Sequence, residues 1–281
     1  MKKFLITIYF SLLIPTFTVL CQSKNFIFPD FINSKDSISY FQLKTDSLFI
    51  SNQIISIISI PIGYKEKYQL DILNSGKTLV RTSSLAQRCN ALAAINGGFF
   101  NIDSGGSVTY FELNDSIISR TKPQKLKWSK PDSLMNGAIV ITKTHELIIE
   151  IAKNGELYEK SIFEKAVLIT GPLLINKSKK ATLPKMTFVS ARHPRTIIAT
   201  TKKSILLITV DGRTNEASGM NLYEVQEFLL MLDVVDAVNL DGGGSTTMWI
   251  NGIGVFNYPS GNLIERPIAN AIVIQKKIEQ K

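Results

Sequence analysis

The stretch Ala237–Ile250, AVNLDGGGSTTMWI, limits what this chain can fold into more than any other. Val238 and Leu240 read as the end of a buried strand. Asp241 stands at its terminus, where a side chain can face a cleft instead of the core. Gly242, Gly243 and Gly244 follow, and Met248–Ile250 returns to a strand. Three glycines in a row lose much backbone entropy on ordering, so a purely structural chain gains little from them. They also permit positive φ and bring backbone N–H groups close to an anion. Ser245, Thr246 and Thr247 add hydroxyls. The plainer alternative is a tight exposed turn capped by Asp241.

Other strands end the same way. Leu92–Ile95 leads into Asn96-Gly97-Gly98, and Ser204–Val210 into Asp211-Gly212-Arg213. Asn96 can hold a ligand or hydrogen-bond the glycine-rich backbone beside it. The segment Ala191–Thr196, ARHPRT, precedes the strand Ile197–Thr200 and brings two arginines and a histidine together. In an extended segment His193 and Arg195 share a face. Arginine carries a rigid fork of donors suited to phosphate or carboxylate, so Arg195 and Arg213 are candidate ligand contacts. The alternative for either is a salt bridge to an acid such as Asp211. Ligands of sheet proteins gather at strand ends of this kind.

The remaining pattern is β-rich, with helices between. Ser39–Leu43, Ser47–Ile50, Ile54–Pro61 and Tyr68–Leu73 read as strands, and Asn114-Asp115 as a hairpin turn. Thr82, Ser83 and Ser84 offer an N-cap for a helix running to about Asn90, with Cys89 buried and inert. Asn221 and Glu224 form a capping box, ahead of a helix whose buried face is Leu222, Val225, Leu229 and Leu232. His145 reads as a turn residue.

Several chemistries drop out. The chain has two histidines, far apart, and neither HExxH nor CxxC spacing, so a zinc site is not expected. No Walker lysine follows the glycine run, and Ser245 is not in a GxSxG elbow. Two aspartates with an arginine set point to acid–base work on a negatively charged substrate. Asp241 and Asp211 could be the two carboxylates of a glycosidase. Read instead as oxygen ligands, Asp241, Asp211 and Asn96 could hold Mg²⁺ or Ca²⁺ for cleavage of a P–O bond. The formal charge is +9. The lysines look scattered apart from Lys177–Lys180 and the tail, and no basic stripe interleaved with aromatics suggests nucleic acid.

Lys2 and Lys3 precede an apolar run from Phe4 to Leu20, which reads as an export signal over residues 1–20. Thr18-Val19-Leu20-Cys21 resembles a lipoprotein signal, with Leu20 in place of the usual small residue. The expectation is an exported protein of the periplasm or cell envelope, anchored to membrane through a lipid on Cys21. Residues 21–35 read as a tether and 36–281 as a single domain. Oligomeric state is not readable.

At seven motifs the chain resembles the phosphodiester glycosidase domain family, the family of the lysosomal uncovering enzyme. They are INGGFF (Ile95–Phe100), ITGPLLIN (Ile169–Asn176), RHPRT (Arg192–Thr196), VDGR (Val210–Arg213), SGMNLYE (Ser218–Glu224), NLDGGGSTTM (Asn239–Met248) and ERPIANAIVI (Glu265–Ile274). The resemblance covers nearly all of the chain after about Thr82. It departs slightly at Ala199–Thr201, where a glycine is common. It implies hydrolysis of a glycosyl phosphodiester in a compact α+β domain, with a mixed, strongly twisted β-sheet core and packed helices. It also implies roles for residues on its polar positions. Asp241, Asp211, Glu224 and His193 would be catalytic. Asn96, Arg195, Arg213, Gly243, Gly244, Ser245, Thr246 and Arg266 would hold the substrate and its phosphate. No cofactor is implied with certainty. A noncatalytic binder of anionic envelope glycans is the alternative on the same scaffold.

Overall fold

A computed structural model describes residues 5–9, 37–257, 259 and 264–277. The export-signal and tether expectations, Cys21 included, lie outside the described residues except at Leu5–Tyr9, an edge strand paired with Ser39–Thr45.

Among the described residues the strands form three sheets, and every pairing between them is antiparallel. The largest has eight strands. Its middle runs Gln53–Pro61, Ser204–Val210, Arg195–Thr201, Val234–Asn239. The second has five, centred on Glu164–Thr170 between Phe111–Leu113 and Gly137–Thr142. The third, also of five, places Ala91–Asn96 between Met248–Ile250 and Asn270–Lys276. With the helices Thr82–Arg88, Gly155–Glu159, Thr187–Ser190 and Leu222–Met231, the α+β expectation holds.

The strand Ser204–Val210, SILLITV, is buried at every position. Its alternate residues serve two cores, which is why it reads as a continuous apolar run and not an alternating one. Leu206, Ile208 and Val210 pack with Ile55, Ile57 and Ile197 against Val225, Phe228 and Leu229 of the long helix. Ile205 and Leu207 face the other way, into a core shared with Ile139 and Leu168 of the second sheet and Ile95 and Ile272 of the third. The three sheets are thus joined by one core. Each large apolar side chain fully buried there contributes roughly 1.5–3 kcal/mol over leaving it exposed.

Local signals mostly act as expected. The Asn221 side chain accepts from Glu224 N at 2.9 Å, and Glu224 accepts from Asn221 N at 3.0 Å, which completes the capping box. Asn114 and Asp115 both take positive φ in their hairpin, the mirror-image turn that suits strand twist. His145 lies in a turn at φ 61. Two details differ. Ser47–Ile50 is not a strand: Leu48–Ile50 is a 3-10 turn with Phe49 and Ile50 at positive φ, reversing the chain between adjacent antiparallel strands. The Thr82–Arg88 helix has no side-chain N-cap from Arg81; the Glu265 carboxylate accepts from Ser83 N at 2.8 Å instead. Cys89 sits just past that helix, half-buried, with its thiol pKa pushed up by burial.

Candidate active site

Strand register gathers the polar strand ends at one edge. Arg195 opposes Val210, so Pro194 and Asp211 are the next residues beyond that pairing. Ile197 opposes Asn239, and Leu240 N donates to Thr196 O at 2.9 Å. Asp241 N then donates to Gly97 O at 3.0 Å, crossing from the first sheet to the third.

Asn96 fastens that crossing. It is fully buried. Its amide nitrogen donates to Asp241 O at 2.7 Å, and its Oδ1 accepts from Thr196 Oγ1 at 2.8 Å and Thr247 N at 3.0 Å. Both acceptor sites of the oxygen are therefore engaged. Of the two roles open to Asn96, the geometry gives the backbone one and corrects its expected roles as substrate contact and metal ligand.

The glycine run forms a 3-10 turn, Gly243–Ser245. A Cβ on Gly242 would lie 2.6 Å from Pro194 O, so only glycine lets the turn close on the ARHPRT segment. Three of the amides expected to form an anion nest bond within the protein. Gly243 N donates to Pro194 O at 2.9 Å, Ser245 N to Gly242 O at 3.2 Å and Thr246 N to Gly243 O at 3.2 Å, so those amides are taken. Ser245 and Thr246 are themselves buried.

Guanidinium groups supply the outward-facing donors. Arg213, exposed and at φ 63, has its Nη2 3.2 Å from where a Gly243 Cβ would stand. Exposed Arg266 has its Cζ 2.7 Å from the corresponding point on Gly244 and its Nη1 3.5 Å from Ser245 Oγ. Two guanidinium groups thus lie against consecutive glycines, immediately after Asp241.

Asp241 is half-buried. Burial pushes its carboxyl pKa up. A hydrogen bond from Ser245, the charges of Lys130 and Arg266, and the Gly242 N–H pull the other way. Lys130 was not singled out from the sequence; its ammonium lies 4.9 Å from the Phe99 ring centroid. Asp211 is buried, and its Oδ1 accepts from Asn257 Nδ2 at 2.9 Å. The same amide donates to Thr246 O at 3.2 Å, so Asn257 ties the second carboxylate to the glycine turn. Asn257 also went unnoticed in the sequence, because it lies outside the glycine-marked strand ends.

His193 Nδ1 is 3.1 Å from Arg213 Nη2. Arginine can only donate, so Nδ1 accepts and the ring proton is on Nε2. Burial first, then the charges of Arg195 and Arg213, hold the imidazole pKa below its usual value. His193 is therefore a neutral donor through Nε2.

Two expected site residues are engaged in the framework. Arg195 is fully buried. Its guanidinium donates to Met220 O at 2.9 Å and to Phe188 O and Ala191 O at 2.8 Å each, and lies 4.9 Å from the Phe188 ring centroid. Burial and the nearby Arg213 charge pull its pKa down to about 9. Its expected phosphate contact gives way to organising backbone carbonyls. Glu224, expected to be catalytic, completes the capping box and accepts Arg192 Nε on both oxygens at 3.1 and 3.0 Å. Its carboxylate is thus engaged by the Arg192 guanidinium and the Asn221 N–H. Among the described residues, no group of three or more His, Cys, Asp or Glu could hold a metal ion.

The sequence profile of the phosphodiester glycosidase family matches residues 89–275. N-acetylglucosamine-1-phosphodiester alpha-N-acetylglucosaminidase of Bos taurus is 29% identical over 206 residues, 66% of this chain and 36% of the bovine protein. The Homo sapiens counterpart is 30% identical over 195 residues, 62% of this chain and 35% of the human one. The chain spans about a third of the length of these relatives. The SPbeta prophage-derived uncharacterized protein YomE of Bacillus subtilis is 25% identical over 197 residues, 68% of this chain and 29% of YomE. Among solved structures, the zebrafish N-acetylglucosamine-1-phosphodiester alpha-N-acetylglucosaminidase catalytic domain, auto-inhibited by its pro-peptide, shares the fold. It has a TM-score of 0.67 and 20% identity, and the match covers 86% of this chain and 83% of that one.

Proposed function

The chain belongs to the phosphodiester glycosidase family, and from that premise we propose that it hydrolyses a sugar-1-phosphate diester at the Asp241 turn. One observation carries the reading: the guanidinium groups of Arg213 and Arg266 lie against Gly243 and Gly244, directly after the half-buried Asp241. A phosphodiester carries one negative charge, and planar guanidinium forks match pairs of its oxygens. The Nε2–H of neutral His193, fixed by Arg213, extends the donor set.

Two carboxylates then divide the work. A carboxyl whose pKa is raised by burial suits proton transfer near neutral pH, and that group is Asp241. Asp211 is the second carboxylate, buried and held in place by a hydrogen bond from Asn257. In the proposed reaction the bond from the anomeric carbon to the phosphate oxygen breaks. Water supplies the new C–O bond, one of its protons passes to the enzyme's carboxylate, and the phosphate departs as a monoester. Such a leaving group needs little acid assistance, so most of the catalysis falls to positioning and charge stabilisation. The curated relatives' names specify N-acetylglucosamine; the sugar taken by this chain is left open by the proposal.

The test is a panel of sugar-1-phosphate diesters incubated in ¹⁸O-labelled water, with both products identified by mass spectrometry. The proposal expects free sugar carrying the label and an unlabelled phosphomonoester. Label in the phosphate would mean P–O cleavage and overturn it. We also propose that the protein is exported and lipid-anchored at Cys21; an unlipidated mature N-terminus by mass spectrometry would refute that.

A further inference from the structure

Residues Arg120 to Lys130 read RTKPQKLKWSK, with five cations and no acid. This is the basic stretch with an aromatic that the scattered-lysine reading missed. The loop is held at both ends. Lys122 N donates to Val108 O at 3.1 Å, and Trp128 Nε1 donates to Asp103 Oδ2 at 3.0 Å while the indole packs against the apolar cluster that contains Phe99 and Val108. Inside it, Ser129 Oγ donates to Gln124 O at 2.6 Å.

Two of the five cations are matched locally. Arg120 pairs with Glu159 at 2.8 Å, and Lys127 with Asp103 at 2.6 Å. Among the described residues, no carboxylate lies in salt-bridge range of Lys122, Lys125 or Lys130. Lys130 is where the loop meets the active site, over the Phe99 ring and within electrostatic reach of Asp241. Phe99 follows Gly97, whose carbonyl accepts from Asp241 N. Both ends of the loop thus meet the Phe99–Val108 segment, Lys122 through its backbone N–H to Val108 O and Lys130 over the Phe99 ring, with Lys125 exposed between them.

A single phosphodiester brings one negative charge, which Arg213 and Arg266 are already placed to neutralise. Further cations held beside that site repel one another unless a second anion is present. We propose that the Lys122–Lys130 loop docks additional phosphates of the substrate, so that the substrate is a chain of phosphodiester-linked sugars. This rests on the reading of the Asp241 turn as a phosphodiester glycosidase site. The loop lysines supply affinity and register along the chain, and the chemistry stays at the turn.

The experiment uses the full chain and two probes, a single sugar-1-phosphate diester and a short oligomer of the same repeat. Lys122→Gln/Lys125→Gln removes one half-buried and one exposed charge, neither of them among the residues assigned to the chemistry. On the oligomer its kcat/KM should fall about fivefold, the effect of two such charge contacts. On the single diester it should match the unaltered protein. Lys122→Arg/Lys125→Arg should restore the oligomer rate, and added salt should erase the difference between the two probes. Equal losses on both probes, or none on either, would overturn the proposal. Binding of the oligomer is measured in parallel by fluorescence anisotropy, so failure to cut either probe would count against the hydrolase reading alone. In that assay, single-stranded DNA of equal charge bound as tightly as the oligomer would assign the loop to polyanions in general and overturn the sugar-phosphate assignment.

Discussion

Replacing Arg195 with methionine separates framework from ligand contact. The guanidinium is fully buried and donates to three backbone carbonyls, those of Met220, Phe188 and Ala191. Hydrogen bonds with a charged partner contribute about 1.5–3 kcal/mol each, so three of them set an upper bound of roughly 5–9 kcal/mol. Burial works against them, since it already draws the arginine pKa down to about 9. Methionine refills much of the volume but takes the charged donor from three carbonyls, of which Met220 O keeps the His193 N–H at 3.2 Å. Removing one partner from a buried charged network typically costs about 3–5 kcal/mol, and that is the expected loss. In a domain of this size each kcal/mol lowers Tm by roughly 2–4 °C, so the variant should melt about 10 °C lower. Urea unfolding gives the free energy, and calorimetry with a phosphodiester gives binding on the same sample. If the variant keeps full stability and loses only phosphodiester binding, Arg195 is a ligand contact and the structural argument is wrong.

Two further outcomes follow from the turn itself. Asp241→Asn should lower turnover by at least roughly 10²-fold, the low end for a positioned acid or base. Because burial raises the folded-state pKa above the unfolded one, ionising Asp241 opposes folding: its contribution is most favourable below the unfolded pKa and declines as pH rises through the folded value. The Asn variant should therefore melt above the parent at neutral pH, with the gap closing in acid; a variant that melts lower at neutral pH refutes this. Gly242→Ala and Gly244→Ala should fail differently. The first drives a methyl toward a backbone carbonyl and should cost several kcal/mol, while the second displaces only the exposed Arg266 head and should raise KM for the diester roughly tenfold with little change in Tm. Melting curves and kinetics on both variants would decide, and equal stability losses would sink the distinction.

The sequence reveals where strands stop, and polar residues beside glycine mark those stops. That is why Asn96, Asp211, Arg213 and Asp241 are all legible in the sequence. It does not reveal what covers each face of a strand. Strand alternation places His193 and Arg195 on one face, yet His193 is half-buried and Arg195 is sealed. The difference is Phe188, on the four-residue helix Thr187–Ser190, whose ring and carbonyl cover the guanidinium. A helix that short gives no periodic signal. Asn257 and Lys130 were hidden for a related reason: each reaches the site through a loop, with no glycine beside it.

Asn96 and Arg195 explain why the site can afford a half-buried carboxylate at all. Both look like ligand contacts by residue type, and both instead fix the backbone around Pro194 and Asp241. Asn96 holds Asp241 O, Thr196 and Thr247 N at once. Arg195 holds the segment before it through Ala191 and Phe188 and the approach to the long helix through Met220. Pro194 O in turn accepts from Gly243 N. The turn that carries Asp241 is therefore pinned from beneath by buried polar groups, and the exposed Arg213 and Arg266 approach it from outside. A carboxyl whose ionisation opposes folding persists only where its surroundings are over-determined in this way. On that reasoning, loosening Asn96 should relax the raised Asp241 pKa toward its ordinary range before it unfolds the domain.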